Sequence, residues 1–173
     1  IEDAIAAAKA AQKEIQPMPL EFREKIIANI RKKTLENAKM FAELGVEETG
    51  MGNVGHKILK HQLVAEKTPG TEDLSTIAWS GDRGLTLIEQ GPFGVIGAVC
   101  PSTNPTETVI CNSIGMLAAG NSVVFAPHPS AKNVSNLAID MVNRASVEVG
   151  GPENLAVAVE NPTMDVSKTI FGH

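Results

Sequence analysis

Between Pro101 and Pro105 the chain sets Ser102, Thr103 and Asn104 in a row, directly after a thiol, Cys100. Two hydroxyls and a carboxamide held between prolines make a stiff turn rich in hydrogen-bonding groups. An apolar run, Val95 to Val99, leads into this turn, and a helix leaves it. Asn104 suits the N-cap of that helix, Pro105 its first position and Glu107 the acid of a capping box. In an open parallel sheet, the turn after a strand's C-terminal end is where ligands and catalytic groups collect. Two more apolar runs, Val123 to Ala126 and Leu155 to Val159, follow at strand–helix–strand spacing, each ending in its own proline-containing turn. Three such turns on one sheet edge predict a nucleotide or cofactor crevice.

Other groups that could do chemistry are sparse. Cys111 sits inside the apolar helix that follows Asn104 and is expected in the core, and Cys100 ends a buried strand with no positive charge nearby to activate its thiol. His56 and His61 are five residues apart, off a shared helical face, and His128 and His173 stand alone, so no metal site is expected. His128 is pinned between Pro127 and Pro129, either as a group beside the crevice or as a rigid exposed corner. Lys132, in the first turn of a helix, is at the wrong end for the helix dipole and is either solvated or near a phosphate or carboxylate. The glycines of Gly91-Pro-Phe-Gly-Val-Ile-Gly97 precede their strand at the wrong offsets for a dinucleotide fingerprint.

The elements that must position these groups are legible in outline. Residues 1 to 15 read as an Ala-rich helix closed by Pro17 and Pro19. Leu20 to Leu44 reads as a long amphipathic helix with Phe22, Ile26, Ile27, Ile30, Leu35, Ala38 and Phe41 on one face. A third helix, Val54 to Glu66, carries Ile58, Leu59 and Leu63, and Thr71 to Ser80 is expected to add a helical turn or two with Trp79 covering the core. Leu85 to Gln90 alternates as a strand and Gly91-Pro-Phe-Gly94 turns, giving a linking hairpin at 84–94. The spacing then predicts a β-α-β-α-β run, with helical stripes from Val109 to Ala118 and from Val134 to Ala145, a C-terminal glycine at Gly120, and a last helix from Met164 to Phe171. The fold class is therefore α/β: N-terminal helices (1–83), the hairpin (84–94), and part of a parallel, Rossmann-like cofactor sheet (95–173).

With 173 residues, 43% of them hydrophobic, the chain can bury one core. Its net charge of −5, pI near 5.4 and lack of a basic run argue against nucleic acid or an anionic membrane as partner. No apolar stretch is long enough to span a bilayer, and the first residues do not read as a positively charged leader with an apolar core, so secretion is not expected. Because Ile1 opens in mid-helix without an initiator Met, a trimmed polypeptide is expected.

From Glu47 to Glu160 the chain resembles the aldehyde dehydrogenase superfamily, and within it the CoA-acylating branch of propionaldehyde and acetaldehyde dehydrogenases of bacterial microcompartments. The resemblance is carried by Glu47-Glu-Thr-Gly-Met-Gly52, Lys67-Thr-Pro-Gly-Thr-Glu-Asp-Leu74, Gly84-Leu-Thr-Leu87, Gly94-Val-Ile-Gly-Ala98 and Pro101-Ser-Thr-Asn-Pro105. Ile110-Cys-Asn-Ser-Ile-Gly-Met-Leu-Ala-Ala-Gly-Asn121 and Val123-Val-Phe-Ala-Pro-His-Pro129 complete it. It implies a two-step reaction in which a cysteine thiolate and NAD convert a small aldehyde to a thioester, which coenzyme A then takes as an acyl-CoA. Cys100, Pro101, Ser102 and Thr103 match the segment on the nicotinamide side, and Ala126, Pro127, His128 and Pro129 the segment bordering the adenosine ribose. Where hydrolytic relatives have a ribose-binding lysine this chain has Ala126. Matching the flanking prolines puts Thr103 in the oxyanion slot, with Asn104 the alternative if the turn reshapes; Asn104 otherwise only caps its helix.

The family's nucleophilic cysteine and catalytic domain lie downstream of the matched part, so this 173-residue piece alone is expected to be inactive. The resemblance further implies a cytoplasmic homo-oligomer paired through the hairpin, with the interior and shell of a microcompartment as its setting in this branch. The competing expectation is a noncatalytic fragment with a folding, oligomerisation or assembly role.

Overall fold

The central strand of the sheet dictates the layering. In a computed structural model that describes residues 1–159 and 161–173, β4 (Ser122–Ala126) is buried along its whole length, and its side chains alternate between two cores. Val123 and Phe125 face the larger core, built with α2 (Leu20–Thr49), α4 (Pro105–Ala118) and α5 (Lys132–Val147). Val124 and Ala126 face the smaller one, where Ile5 and Ala8 of α1 (Glu2–Ile15) pack with Val166 and Ile170 of α6 (Met164–Gly172). Helices thus cover both faces of a three-stranded parallel sheet ordered β3 (Val95–Val99), β4, β5 (Ala156–Ala158). Its registers pair Val99 with Ala126 and Phe125 with Ala158. As an edge strand, β3 is less buried than its apolar sequence implies: Val99 is 48% exposed.

α2 is the spine of the helical layer. Ile26, Ile27, Ile30, Thr34, Ala38 and Phe41 recur at helical spacing on its buried face, and it contacts α3 (Val54–Lys67), α4 and α5. The helix continues five residues beyond the expected Leu44 and stops at Gly50, whose left-handed φ of 66° only glycine adopts without strain. That extension has a purpose, because it carries Glu48 to the amino end of α5. No side chain local to α5 caps that end; instead the Glu48 carboxylate accepts the N–H groups of Asn133 (2.9 Å) and Val134 (2.7 Å). The anionic partner for the start of this helix is therefore the protein's own. Glu48→Ala is expected to cost about 1–2 kcal/mol in urea denaturation, and Glu47→Ala, at an exposed neighbour, less than about 0.5.

Residues 71–80 differ from the expected helical turns. Only Thr71–Asp73 form a single 3-10 turn, and β1 (Ile77–Gly81) then pairs antiparallel with β2 (Gly84–Ile88). The hairpin accordingly lies at 77–88, with Asp82 and Arg83 at its tip, and Gly91–Gly94 is an irregular link into β3. Trp79 is 60% exposed and covers no core. Both faces of the hairpin are solvent-exposed, so no burial alternation marks its first strand as the eye scans for one.

Candidate functional site

Parallel pairing puts the ends of the three strands level on one sheet edge. Beyond the strands proper, Cys100 N–H donates to the Ala126 carbonyl (3.0 Å) and Val159 N–H to the Phe125 carbonyl (3.1 Å). The turns at 100–104 and 127–129 therefore leave the sheet side by side, next to the strand end at Val159. Cys100, Ala126 and Pro127 are buried at the rim, Ser102 and Asn104 are half-buried, and Pro101, Thr103, His128 and Pro129 are exposed. Cys100 and Ala126 lie beneath the rim, the N–H of one bonded to the carbonyl of the other. His128 Nδ1 accepts from Ser130 N–H (3.2 Å) and lies 2.8 Å from the Ser130 hydroxyl, which fixes the ring on its own turn.

The Cys100 thiol is not poised for attack. Burial pushes the Cys100 thiol up to about 12, which leaves roughly one molecule in ten thousand as thiolate at pH 8. Cys111 is half-buried rather than in the core, because it lines a groove of about 310 Å³ with Lys60, Leu63, Asn104 and Thr108. Alkylation of the native protein at pH 8 is expected to modify Cys111 and spare Cys100, as peptide mapping would show; equal labelling would mean that the end of β3 opens. A larger cavity, about 400 Å³, lies between α1, β3 and α6, but the turn residues do not line it.

The 100–107 segment is held from below by α3, which sequence reasoning had not singled out. The buried face of α3 is Lys57, His61 and Ala65, whereas Leu59 and Leu63 are about 60% exposed (61% and 59%). Lys57 Nζ donates to the Thr103 carbonyl (3.1 Å) and lies 3.5 Å from Glu107 Oε1; both side chains are almost wholly buried. Glu107 therefore does not serve as the acid of a capping box. Asn104 flanks α4 without a side-chain cap bond, and its Oδ1 accepts from Lys60 Nζ (2.8 Å). Since an ammonium only donates, the Asn104 oxygen must face Lys60, and the carboxamide NH2 is turned the other way, with no protein acceptor among the described residues.

His61 completes the layer. Its ring stacks on Phe41 with centroids 5.7 Å apart, and its Nδ1 lies 2.7 Å from the Lys57 carbonyl, which can only accept. Nε2 lies 2.8 Å from the Thr106 hydroxyl, itself 3.1 Å from Glu107 Oε2, and the single hydroxyl proton serves one neighbour at a time. Burial holds the imidazole below its usual range, an effect partly offset by the Glu107 carboxylate. The signal in the sequence was the i, i+4 pairing of Lys57 with His61, which only gains meaning once that face is known to point inward.

A sheet edge with a donor-rich turn of this kind invites comparison with known proteins. The model of the aldehyde dehydrogenase family matches residues 1–173. The chain belongs to the aldehyde dehydrogenase family. It is 58% identical over its whole length to an acetylating acetaldehyde dehydrogenase of Bilophila wadsworthia, of which it covers 35%. Among solved structures, it is similar to a mutant propionaldehyde dehydrogenase from the fucose utilisation microcompartment of Clostridium phytofermentans (TM-score 0.96, 64% identity, 99% of this chain and 40% of that one). A propionaldehyde dehydrogenase of Rhodopseudomonas palustris with bound CoA gives a TM-score of 0.96 at 49% identity, again over 99% of this chain and 40% of that one. The chain thus spans little more than a third of the length of the family members it matches. These relatives are acylating aldehyde dehydrogenases, and nothing among them supports the noncatalytic alternative. Among the described residues, no helix is long and apolar enough to cross a membrane, and no group of three or more His, Cys, Asp or Glu side chains could hold a metal ion.

Proposed function

We propose that this chain is the N-terminal part of an enzyme that converts a short-chain aldehyde, with NAD and coenzyme A, into an acyl-CoA. The observation that carries the reading is the Asn104 carboxamide at the start of α4, in the turn after β3, with its oxygen tied to Lys60 and its NH2 unpartnered among the described residues. A fixed, unused donor of that kind suits the negative charge that develops on an aldehyde oxygen when a thiolate adds to it. Thr103 is the weaker candidate for this contact, because its hydroxyl is exposed and no protein partner among the described residues fixes it. Neither Cys100 nor Cys111 acts as the nucleophile in this reading; the thiol comes from the part of the relatives' length that this chain does not span.

The rim fits half of a dinucleotide cradle. Pro101, Ser102 and Thr103 would border the nicotinamide, and Pro127, His128 and Pro129 the adenosine ribose, with Cys100 and Ala126 buried beneath them. The flanking amino end of α5 is filled by Glu48, so the residues present give the pyrophosphate no seat there. NAD, when bound, accepts the hydride, and the acyl group then passes from the enzyme thiol to the thiol of coenzyme A. A second copy of the chain is the proposed cover for the hairpin at 77–88, where Ile77, Trp79, Leu85 and Leu87 are all exposed. Residence in a microcompartment is proposed with it, on the likeness to the Clostridium phytofermentans protein.

The test uses the protein expressed from its complete gene, with propionaldehyde, NAD and coenzyme A. Equimolar NADH and propionyl-CoA are expected, and Asn104→Ala should lower kcat by about 10²–10³ while Thr103→Val lowers it far less. Absence of propionyl-CoA would refute the reading. Light scattering on the same preparation should show more than one copy per particle; a monomer would remove the hairpin proposal.

A further inference from the structure

The buried group formed by Lys57, Glu107, His61 and Thr106 is not accounted for by the reaction as proposed. Lys57 is 2% exposed and Glu107 4%, yet replacing a buried ion pair by a well-packed apolar pair of similar volume is often neutral or stabilising. Stability alone therefore does not explain the ammonium. What distinguishes it from an apolar side chain is its bond to the Thr103 carbonyl. We infer that Lys57 is a positioning residue: neutralised by Glu107, it clamps the Thr103–Asn104 peptide against α3 so that Asn104 is held in one orientation at the start of α4.

The geometry of the peptide bond gives this contact its leverage. The unit is planar, and no cis bond occurs among the described residues, so the Thr103 carbonyl and the Asn104 N–H point in opposite directions. Drawing the carbonyl toward Lys57 turns the Asn104 N–H away from α3, and that N–H has no protein acceptor among the described residues. Lys60, one turn further along α3, fixes the carboxamide of the same residue. One helix thus sets both the main chain and the side chain of Asn104. His61 stiffens the arrangement from the same face, joined to α4 through Thr106. Such a clamp matters because misplacing a transition-state donor by about 1 Å can lower turnover by about a hundredfold.

This inference rests on the proposed reaction, so the experiment reads two things. In the protein expressed from its complete gene, Lys57→Met/Glu107→Gln removes both charges together and leaves no unpaired ion. It is expected to keep the parent's unfolding midpoint within a few degrees, to lower kcat about 10- to 100-fold, and to change KM for aldehyde and NAD less than about threefold. Amide exchange in the peptide spanning 101–108 should quicken while the rest of the protein is unchanged. A purely structural ion pair predicts instead that kcat returns with stability, and kcat within twofold of the parent, or unchanged exchange at 101–108, would overturn the inference. Lys57→Gln, which keeps a neutral donor on α3, is expected to retain more activity than the Met variant and serves if the latter does not fold; activity no better than that of Lys57→Met alone would also count against the clamp. Should the parent itself form no acyl-CoA, the proposed reaction fails, and the exchange result alone decides whether the clamp exists.

Discussion

Replacing Glu107 with leucine is expected to destabilise the fold by about 3–5 kcal/mol, read as a lowered midpoint in urea denaturation. The substitution strands the Lys57 ammonium in a site only 2% exposed, with the Thr103 carbonyl as its one remaining polar contact. It also removes an acceptor from the Thr106 hydroxyl. Pairing it with Lys57→Met should recover most of the loss, since the ion and its counter-ion leave together. The double-mutant cycle is therefore expected to return a coupling energy of about 2–3 kcal/mol, at the upper end for residues in direct contact. A cost below about 1 kcal/mol for Glu107→Leu alone would mean that water reaches Lys57, and that the α3–α4 interface is looser than its burial indicates.

Phe125→Ala should be as damaging, by a different route. Its ring is fully buried on β4, in the core shared with α2, α4 and α5, so truncation removes apolar contact and leaves a cavity that three helices cannot all close. About 3–5 kcal/mol is expected from the same denaturation measurement. Phe93 provides the control. It is 96% exposed in the link before β3, and Phe93→Ala should change the stability of the isolated subunit by less than about 0.5 kcal/mol. Equal effects at the two positions would mean that Phe93 packs against something in solution.

Most of the sheet and its helices could be read from local pattern. Val123-Val-Phe-Ala126 is apolar on both faces, as a central parallel strand must be, and Gly120 ends α4 with a left-handed φ of 82°, as a C-terminal glycine should. The helical period of α2 was equally plain, though its true end depended on Glu48 reaching α5, a contact between residues 85 and 86 positions apart. Long-range partners are what the sequence hid. Glu107 has the spacing of a capping-box acid, but its partner is Lys57, fifty residues earlier, and no local rule chooses between the two. The expectation for 71–80 failed for the complementary reason: an exposed strand lacks the alternation of burial by which strands are recognised, so Trp79 was assigned to a core that it never touches. Asn104 has the type and position of an N-cap, yet its side chain makes no cap bond; its oxygen meets Lys60 instead, which only the docking of α3 brings within reach.

The placement of Trp79 has an optical consequence. It is the only tryptophan in these 173 residues and it lies, 60% exposed, on the two-stranded ribbon, so its fluorescence registers what surrounds that ribbon and not the state of the core. A solution in which the ribbon is bare should emit to the red from the outset and respond little to denaturant, even as circular dichroism records the helices melting. Where another subunit shields the indole, the spectrum should move to the blue, and on dilution it should drift back before any helix is lost.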